Sequence, residues 1–183
     1  MKKIFNKTTI VFSVIVVGLV AMSFVNKTSI NNKQEAQEQP AYKASMDGWE
    51  VDVNKAYEIS KKTGKPILAN FTGSDWCGWC IKLKNEVFIK DEFKTWAKDN
   101  VVLLELDFPR RFQLPEEIKQ QNYGLQQAFG VTAYPTIWVF NLTKSDEGQY
   151  SIEAMGKTGY VAGGPSKFQE GVDAMIKQHS EKK

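Results

Sequence analysis

Sulfur and imidazole are scarce in this sequence: 183 residues hold two cysteines, Cys77 and Cys80, and one histidine, His179. Each shortage excludes something. A structural zinc site takes four ligands, and this set falls short of an intrachain one. No cysteine lies near the N-terminus, which excludes a lipid-anchored lipoprotein. A surplus of one charge is missing too. The 24 basic and 21 acidic residues leave +3, and the balance is neutral once Lys2, Lys3 and Lys7 are set aside. The remainder therefore offers no electrostatic case for nucleic acid or anionic lipid. No internal repeat is present.

Long apolar runs are also lacking, except at the start. There "TTIVFSVIVVGLVAMSFV" (8–25) follows three lysines without a charge. This is the pattern of a secretory signal or of a single membrane anchor. Ala21-Met22-Ser23 has the small-x-small spacing of a cleavage site. Residues 1–25 are thus expected to export the chain to the periplasm, where they are removed or remain as an inner-membrane anchor. Residues 26–45, polar and containing one proline, read as a linker. Residues 46–180 read as one folded domain, a monomer, in an oxidising compartment where disulfides persist.

Within that domain the punctuation is regular. Asp52 caps a short helix over 51–66 with Val53, Ala56, Tyr57 and Ser60 on one face, and Gly64 stops it. "PILANF" (66–71) suits a buried strand. From Trp76 the pattern turns helical, with Ile81, Leu83, Val87 and Phe88 as an apolar stripe. "KDEFKTWAKDN" is a second helical piece, and "VVLLELDF" (101–108) is the clearest strand. "PRRFQLPEEIKQQN" reads as an exposed insertion running into a helix over roughly 116–129. Strands follow at 135–141 and 150–160, close enough for a hairpin. Gly164 and Pro165 open a terminal helix. Two strands separated by helical sequence pair in parallel through a right-handed crossover. The predicted class is α/β, a mixed central sheet flanked by helices on both faces.

Cys77 and Cys80 sit three apart at the first turn of a helix that follows a buried strand. Residues three apart on a helix are neighbours, so the sulfurs can bond. Free backbone N–H groups and the helix dipole at that end favour a thiolate on Cys77, with a pKa lowered to roughly 3.5–7.5 in such settings. Cys77 becomes a candidate nucleophile and Cys80 a candidate resolving thiol. A purely structural disulfide is the bland alternative, but a loop this short removes little chain entropy. Trp76 and Trp79 flank the sulfurs in an expected loop, where indole surface can cover the dithiol or grip a partner.

"ILANFTGSDWCGWCIKL" resembles the strand, loop and active-site helix of the thioredoxin superfamily. "FGVTAYPTIWVF" is similar to its cis-proline loop and following strand, and "TGYVAGGPSKFQEGVDAMI" to its last turn and helix. "WCGWC" with "LDFPRR" and "TGYVAGGP" looks closest to exported thioredoxin-like proteins. The resemblance implies a thioredoxin-like fold with Cys77 and Cys80 as the redox pair. It implies a cis bond before Pro135, and a substrate chain bound along Tyr134. No metal or organic cofactor is called for, because the dithiol carries two electrons.

One departure stands out. The family often buries an aspartate on the strand before the motif, where this chain has Asn70. Alternation along "LLELDF" brings Glu105 near that point. The expectation is that the acid has changed strands, with Glu105 as proton relay and Asn70 holding water or a hydrogen bond. The chain is therefore expected to be an exported thiol–disulfide oxidoreductase with cysteine-containing client proteins and a redox partner protein, reducing rather than oxidising. The competing reading is a non-catalytic peptide-binding module with a permanent disulfide, gripping extended chains through Trp76, Trp79 and Tyr134.

Overall fold

The computed structural model describes residues 42–182. The run at 8–25 and linker residues 26–41 lie outside them. No described helix is long and apolar enough to cross a membrane.

The elements follow the predicted order: α1 Val53–Thr63, β1 Ile67–Thr72, α2 Gly78–Leu83, a π-turn Lys84–Phe88, α3 Asp91–Asn100, β2 Val102–Asp107, α4 Glu116–Ala128, β3 Thr136–Lys144, β4 Tyr150–Thr158 and α5 Gly164–Ser180. Local chemistry sets the boundaries. The Asp52 carboxylate accepts the Asn54 N–H at the start of α1, satisfying one of the donors a helix start leaves free. Gly64 ends the helix in the left-handed region, at φ 72°, where a Cβ would be strained.

The sheet order is β2-β1-β3-β4. β1 pairs with β2 in parallel, β3 runs antiparallel to β1, and β3 and β4 form the expected hairpin. This is the thioredoxin-like mixed sheet. Strand alternation sorts side chains into two cores. Ile67, Ala69, Phe71, Val102, Leu104 and Leu106 pack with Val53, Ala56 and Phe129 on one face. Leu68, Ile137 and Val139 pack with Leu83, Val87, Phe88, Phe93 and Phe168 on the other. The same alternation sends Val139 and Phe140 to opposite cores, and the register shift beside them leaves one extra residue, Met155, on β4.

Two expectations need correction. Ile81, assigned to the apolar stripe, is exposed. Trp79 stands in the first turn of α2, not in a loop. The chain also engages the domain just before Met46. Ala44 packs against the second core, and Glu50 bridges to Leu104 along the outer edge of β2, covering part of an otherwise unpaired strand edge.

Candidate active site

β1 ends at Thr72, and the chain turns through Gly73–Trp76 into α2. The Cys77 N–H donates to the Gly73 carbonyl at 2.9 Å, which sets the angle of entry. Cys77 is the N-cap of α2, and its sulfur accepts the Cys80 N–H at 3.2 Å. The backbone donor expected to favour the thiolate therefore points at that sulfur. The two cysteines are disulfide-bonded, with Cα atoms 5.2 Å apart. Both are largely covered: Cys77 is 6 % exposed and Cys80 4 %.

On the Cys77 side the loop is tied down residue by residue. The Asp75 carboxylate accepts the backbone N–H groups of Arg110 and Arg111, at 3.0 and 2.6 Å. Desolvation is the largest single influence and pushes its carboxyl up, but these bonds, its own backbone N–H and the Arg111 charge together hold it below the usual aspartate range. The Trp76 indole N–H donates to the Phe108 carbonyl at 2.8 Å. The Arg110 guanidinium lies 3.7 Å over the Trp76 ring, a cation–π contact. Gly73 is obligatory beneath it, since a Cβ there would stand 2.4 Å from the indole.

Tyr134 packs edge-on against Trp76 at 5.8 Å and lies tilted against Phe108 at 5.2 Å. Its hydroxyl accepts from the Gln126 amide at 2.6 Å. Burial, with a contribution from Tyr123, pushes its phenol up to about 12. The Tyr134–Pro135 bond is cis, as expected. It opens β3, whose first residue, Thr136, pairs with Phe71, at the end of β1 from which the dithiol loop emerges. Beyond Phe108 a cleft of about 300 Å³ opens among Arg110, Phe112, Leu114, Lys119 and Tyr123.

Trp79 has different company. It is 58 % exposed and leans on Tyr160 at 5.1 Å. The Lys82 ammonium sits over both rings, and the Tyr160 hydroxyl donates to Glu86. The two tryptophans thus serve two separate clusters.

On the Cys80 side a polar pocket is sunk into the sheet. Glu105 pairs in register with Asn70, and both face the side occupied by α2. Glu105 is 1 % exposed. Its two oxygens accept the Ser45 N–H and the Ser45 hydroxyl, each at 2.7 Å. The Lys84 ammonium donates to the Ser45 carbonyl at 2.9 Å. Asn70 Oδ1 is buried without a hydrogen-bond partner among the described residues. Cys80, Asn70, Ser45, Lys84, Thr72 and Glu105 line one cavity of about 10 Å³, close to the volume one water needs. Burial pushes the Glu105 carboxyl up; the Ser45 bonds pull against it, the neighbouring Asp107 charge adds to it, and Lys84 opposes it.

Asp107 was not singled out in the sequence. It is buried two residues along on the same face of β2, accepting the Ser74 N–H and hydroxyl. Burial pushes its carboxyl up as well, against those bonds. The signal was present in the alternation Glu105-Leu106-Asp107. Tyr42, half-buried, has its phenol raised by burial and by the charges of Asp107 and Glu105. Among the described residues, no three His, Cys, Asp or Glu side chains converge as metal ligands.

Residues 53–157 match the thioredoxin-like domain family. The disulfide bond reductase DsbH of Chlamydia pneumoniae is 35 % identical over 126 residues, spanning 69 % of this chain and 75 % of that protein. The thioredoxin-related protein DsbJ of the same organism is 33 % identical over 87 residues, 48 % of this chain but 25 % of that longer protein. A solved structure of a DsbH oxidoreductase superposes with a TM-score of 0.61 at 33 % identity, covering 77 % of this chain and 91 % of that one.

Proposed function

The chain belongs to the thioredoxin-like domain family, and on that footing we propose that it is an exported thiol–disulfide oxidoreductase that reduces disulfides in client proteins. One observation carries the reading. Two sulfurs close enough to bond sit at a helix start, with a backbone N–H on the first and a buried carboxylate sharing a cavity with the second.

The chemistry follows from that arrangement. In the reduced protein the Cys77 thiolate, stabilised by the Cys80 N–H and the α2 dipole, attacks one sulfur of a client disulfide. A Cys77–client mixed disulfide forms and the client's other sulfur leaves as a thiolate. Glu105 takes the Cys80 proton across the shared cavity. A carboxyl raised by burial is matched to this task at neutral pH better than an exposed one. The Cys80 thiolate attacks Cys77, the client leaves reduced, and Cys77–Cys80 is left as a disulfide for a redox partner protein to reduce. Trp76, Tyr134 and Pro135 form the wall along which the client chain lies, and Trp79 offers a second, exposed contact. The reducing direction is supported by the kinship with a protein named as a disulfide bond reductase and by the lack of a histidine between the cysteines, which removes one stabiliser of the thiolate. The lysine-led apolar run supports export to the periplasm, with residues 1–25 as signal or anchor, 26–45 as tether and 46–180 as the redox domain.

The test is reduction of insulin disulfides with dithiothreitol as electron donor. Turnover lost in Cys77→Ser is the expected result. An intact protein that binds unfolded chains without turnover would overturn the reading in favour of a peptide-binding module.

A further inference from the structure

Glu105 is held in place by a residue from outside the sheet. Before α1 the chain runs along the edge of β2: the Glu50 N–H donates to the Leu103 carbonyl, and the Glu105 N–H to the Glu50 carbonyl. This brings Ser45, sixty residues away in sequence, over the Glu105 carboxylate. Ser45 is exposed, yet its N–H and hydroxyl each take one carboxylate oxygen at 2.7 Å. Its carbonyl accepts from Lys84, four residues after Cys80. A chain of contacts thus runs from the linker, through Ser45, to both sides of the cavity behind the resolving cysteine.

We infer that Ser45 is a positioning residue for the reaction: it clamps Glu105 beside the Cys80 cavity and so sets the pH at which resolution switches on. The inference rests on Glu105 being the base of that step. A carboxylate accepts both Ser45 bonds as charge-assisted ones, whereas a protonated carboxyl makes weaker neutral bonds and must reverse the one to the hydroxyl, so the clamp favours the basic form. The groups facing Glu105 are Asp107 on β2, Lys84 on the π-turn, Tyr42 on the incoming segment and Cys80 on α2. Among the described residues, Ser45 alone donates hydrogen bonds to the carboxylate oxygens.

The experiment follows the full chain reacting with excess 5,5′-dithiobis(2-nitrobenzoate). The first thionitrobenzoate released reports attack by Cys77. The second reports Cys80 displacing the same group from the Cys77 mixed disulfide, with Cys77–Cys80 formed. Rates of the second phase are measured against pH for the wild type, Ser45→Ala, Ser45→Thr, Glu105→Gln and the Ser45→Ala/Glu105→Gln double variant. Ser45→Ala keeps the N–H bond and removes only the hydroxyl. The expected result is an inflection moved up by about one pH unit, roughly tenfold less base at a given pH below it. The first phase is expected to be unchanged, and Ser45→Thr to restore the wild-type profile. In the Glu105→Gln background the serine change should have no further effect. An unmoved inflection in Ser45→Ala, or the same change in both backgrounds, overturns the clamp while leaving the relay standing. An unaltered profile in Glu105→Gln alone overturns the relay, and the clamp with it.

Discussion

The two cysteines share one bond but have contrasting surroundings. Around Cys77 the contacts are mostly aromatic, drawn from the dithiol loop, the 108–111 segment and Tyr134. The sulfur is served by an N–H three residues away, and Trp76 is fixed by the 108–111 segment through Phe108, Arg110 and Asp75. Behind Cys80 the contacts are polar and enclose a small cavity: Asn70 from β1, Glu105 from β2, Ser45 from the incoming segment and Lys84 from the π-turn. On the proposed function, the first region meets the client chain and the second shields a proton transfer from solvent. The difference teaches that attack and resolution are separable, because separate parts of the sequence support them.

The largest effects should come from the sulfurs themselves. Cys77→Ser is expected to abolish turnover and mixed-disulfide formation together. Cys80→Ser should abolish turnover yet let the Cys77–client adduct accumulate, visible by mass spectrometry without reductant. Equal adduct yields from the two variants would break the division of labour. Next in size, Glu105→Gln should slow the resolving step by about a hundredfold, within the range of general base catalysis, and leave attack by Cys77 within about twofold. A matched loss in both steps would mean that the carboxylate merely supports the fold.

Gly73→Ala tests the opposite region. A Cβ would stand 2.4 Å from the Trp76 ring, so the indole must leave Phe108 and Arg110. Overpacking of this kind costs about 1–3 kcal/mol. The expected outcome is a lower denaturation midpoint and a raised KM for insulin, with the rate of resolution preserved. An unchanged KM would remove Trp76 from the client-binding wall.

Sequence separation explains what was legible in the sequence. The elements and the redox motif are written in short-range patterns: Asp52 and Gly64 bound α1, and the apolar runs mark β1 and β2. Tyr134-Pro135-Thr136 marks the loop before β3. Glu105 was found because an acid in an apolar strand is a local anomaly, and its facing of Asn70 follows from the parallel register. Ser45 was read as the last residue of a linker because polar composition says nothing about a contact sixty residues away. Asp107 was passed over beside its more conspicuous neighbour, although alternation puts both on one face. Trp79 and Ile81 depart from expectation for one reason. The helix begins at Gly78, which turns Trp79 and Ile81 outward while Cys80 and Leu83 face in.

The smallest predicted effect is also the one in which the two regions should differ in sign. Glu105, behind Cys80, has its carboxyl raised above its ordinary value, burial being the main cause. Between that value and the raised one, the folded protein keeps a proton that the unfolded chain has lost. Stability therefore falls as pH rises through this window. Glu105→Gln removes the titration while keeping both Ser45 contacts, since an amide oxygen accepts the Ser45 N–H and the serine hydroxyl can accept from the amide. Its melting temperature should exceed that of the wild type by roughly 2–4 °C at pH 8, with the gap closing towards pH 4. Asp75, on the Cys77 side, is pushed up by desolvation but has its carboxyl lowered on balance by the combined Arg110, Arg111 and own-backbone N–H groups and the Arg111 charge. Its contribution is present above the ordinary aspartate value and lost as pH falls through the lowered one. Asp75→Asn should therefore lower the melting temperature at pH 8 by a smaller amount, with the gap closing in acid. Melting curves from pH 2 to 8 check both. Gaps of the same sign in the two variants would show that the acids on the two sides of the dithiol are not held in opposite protonation preferences.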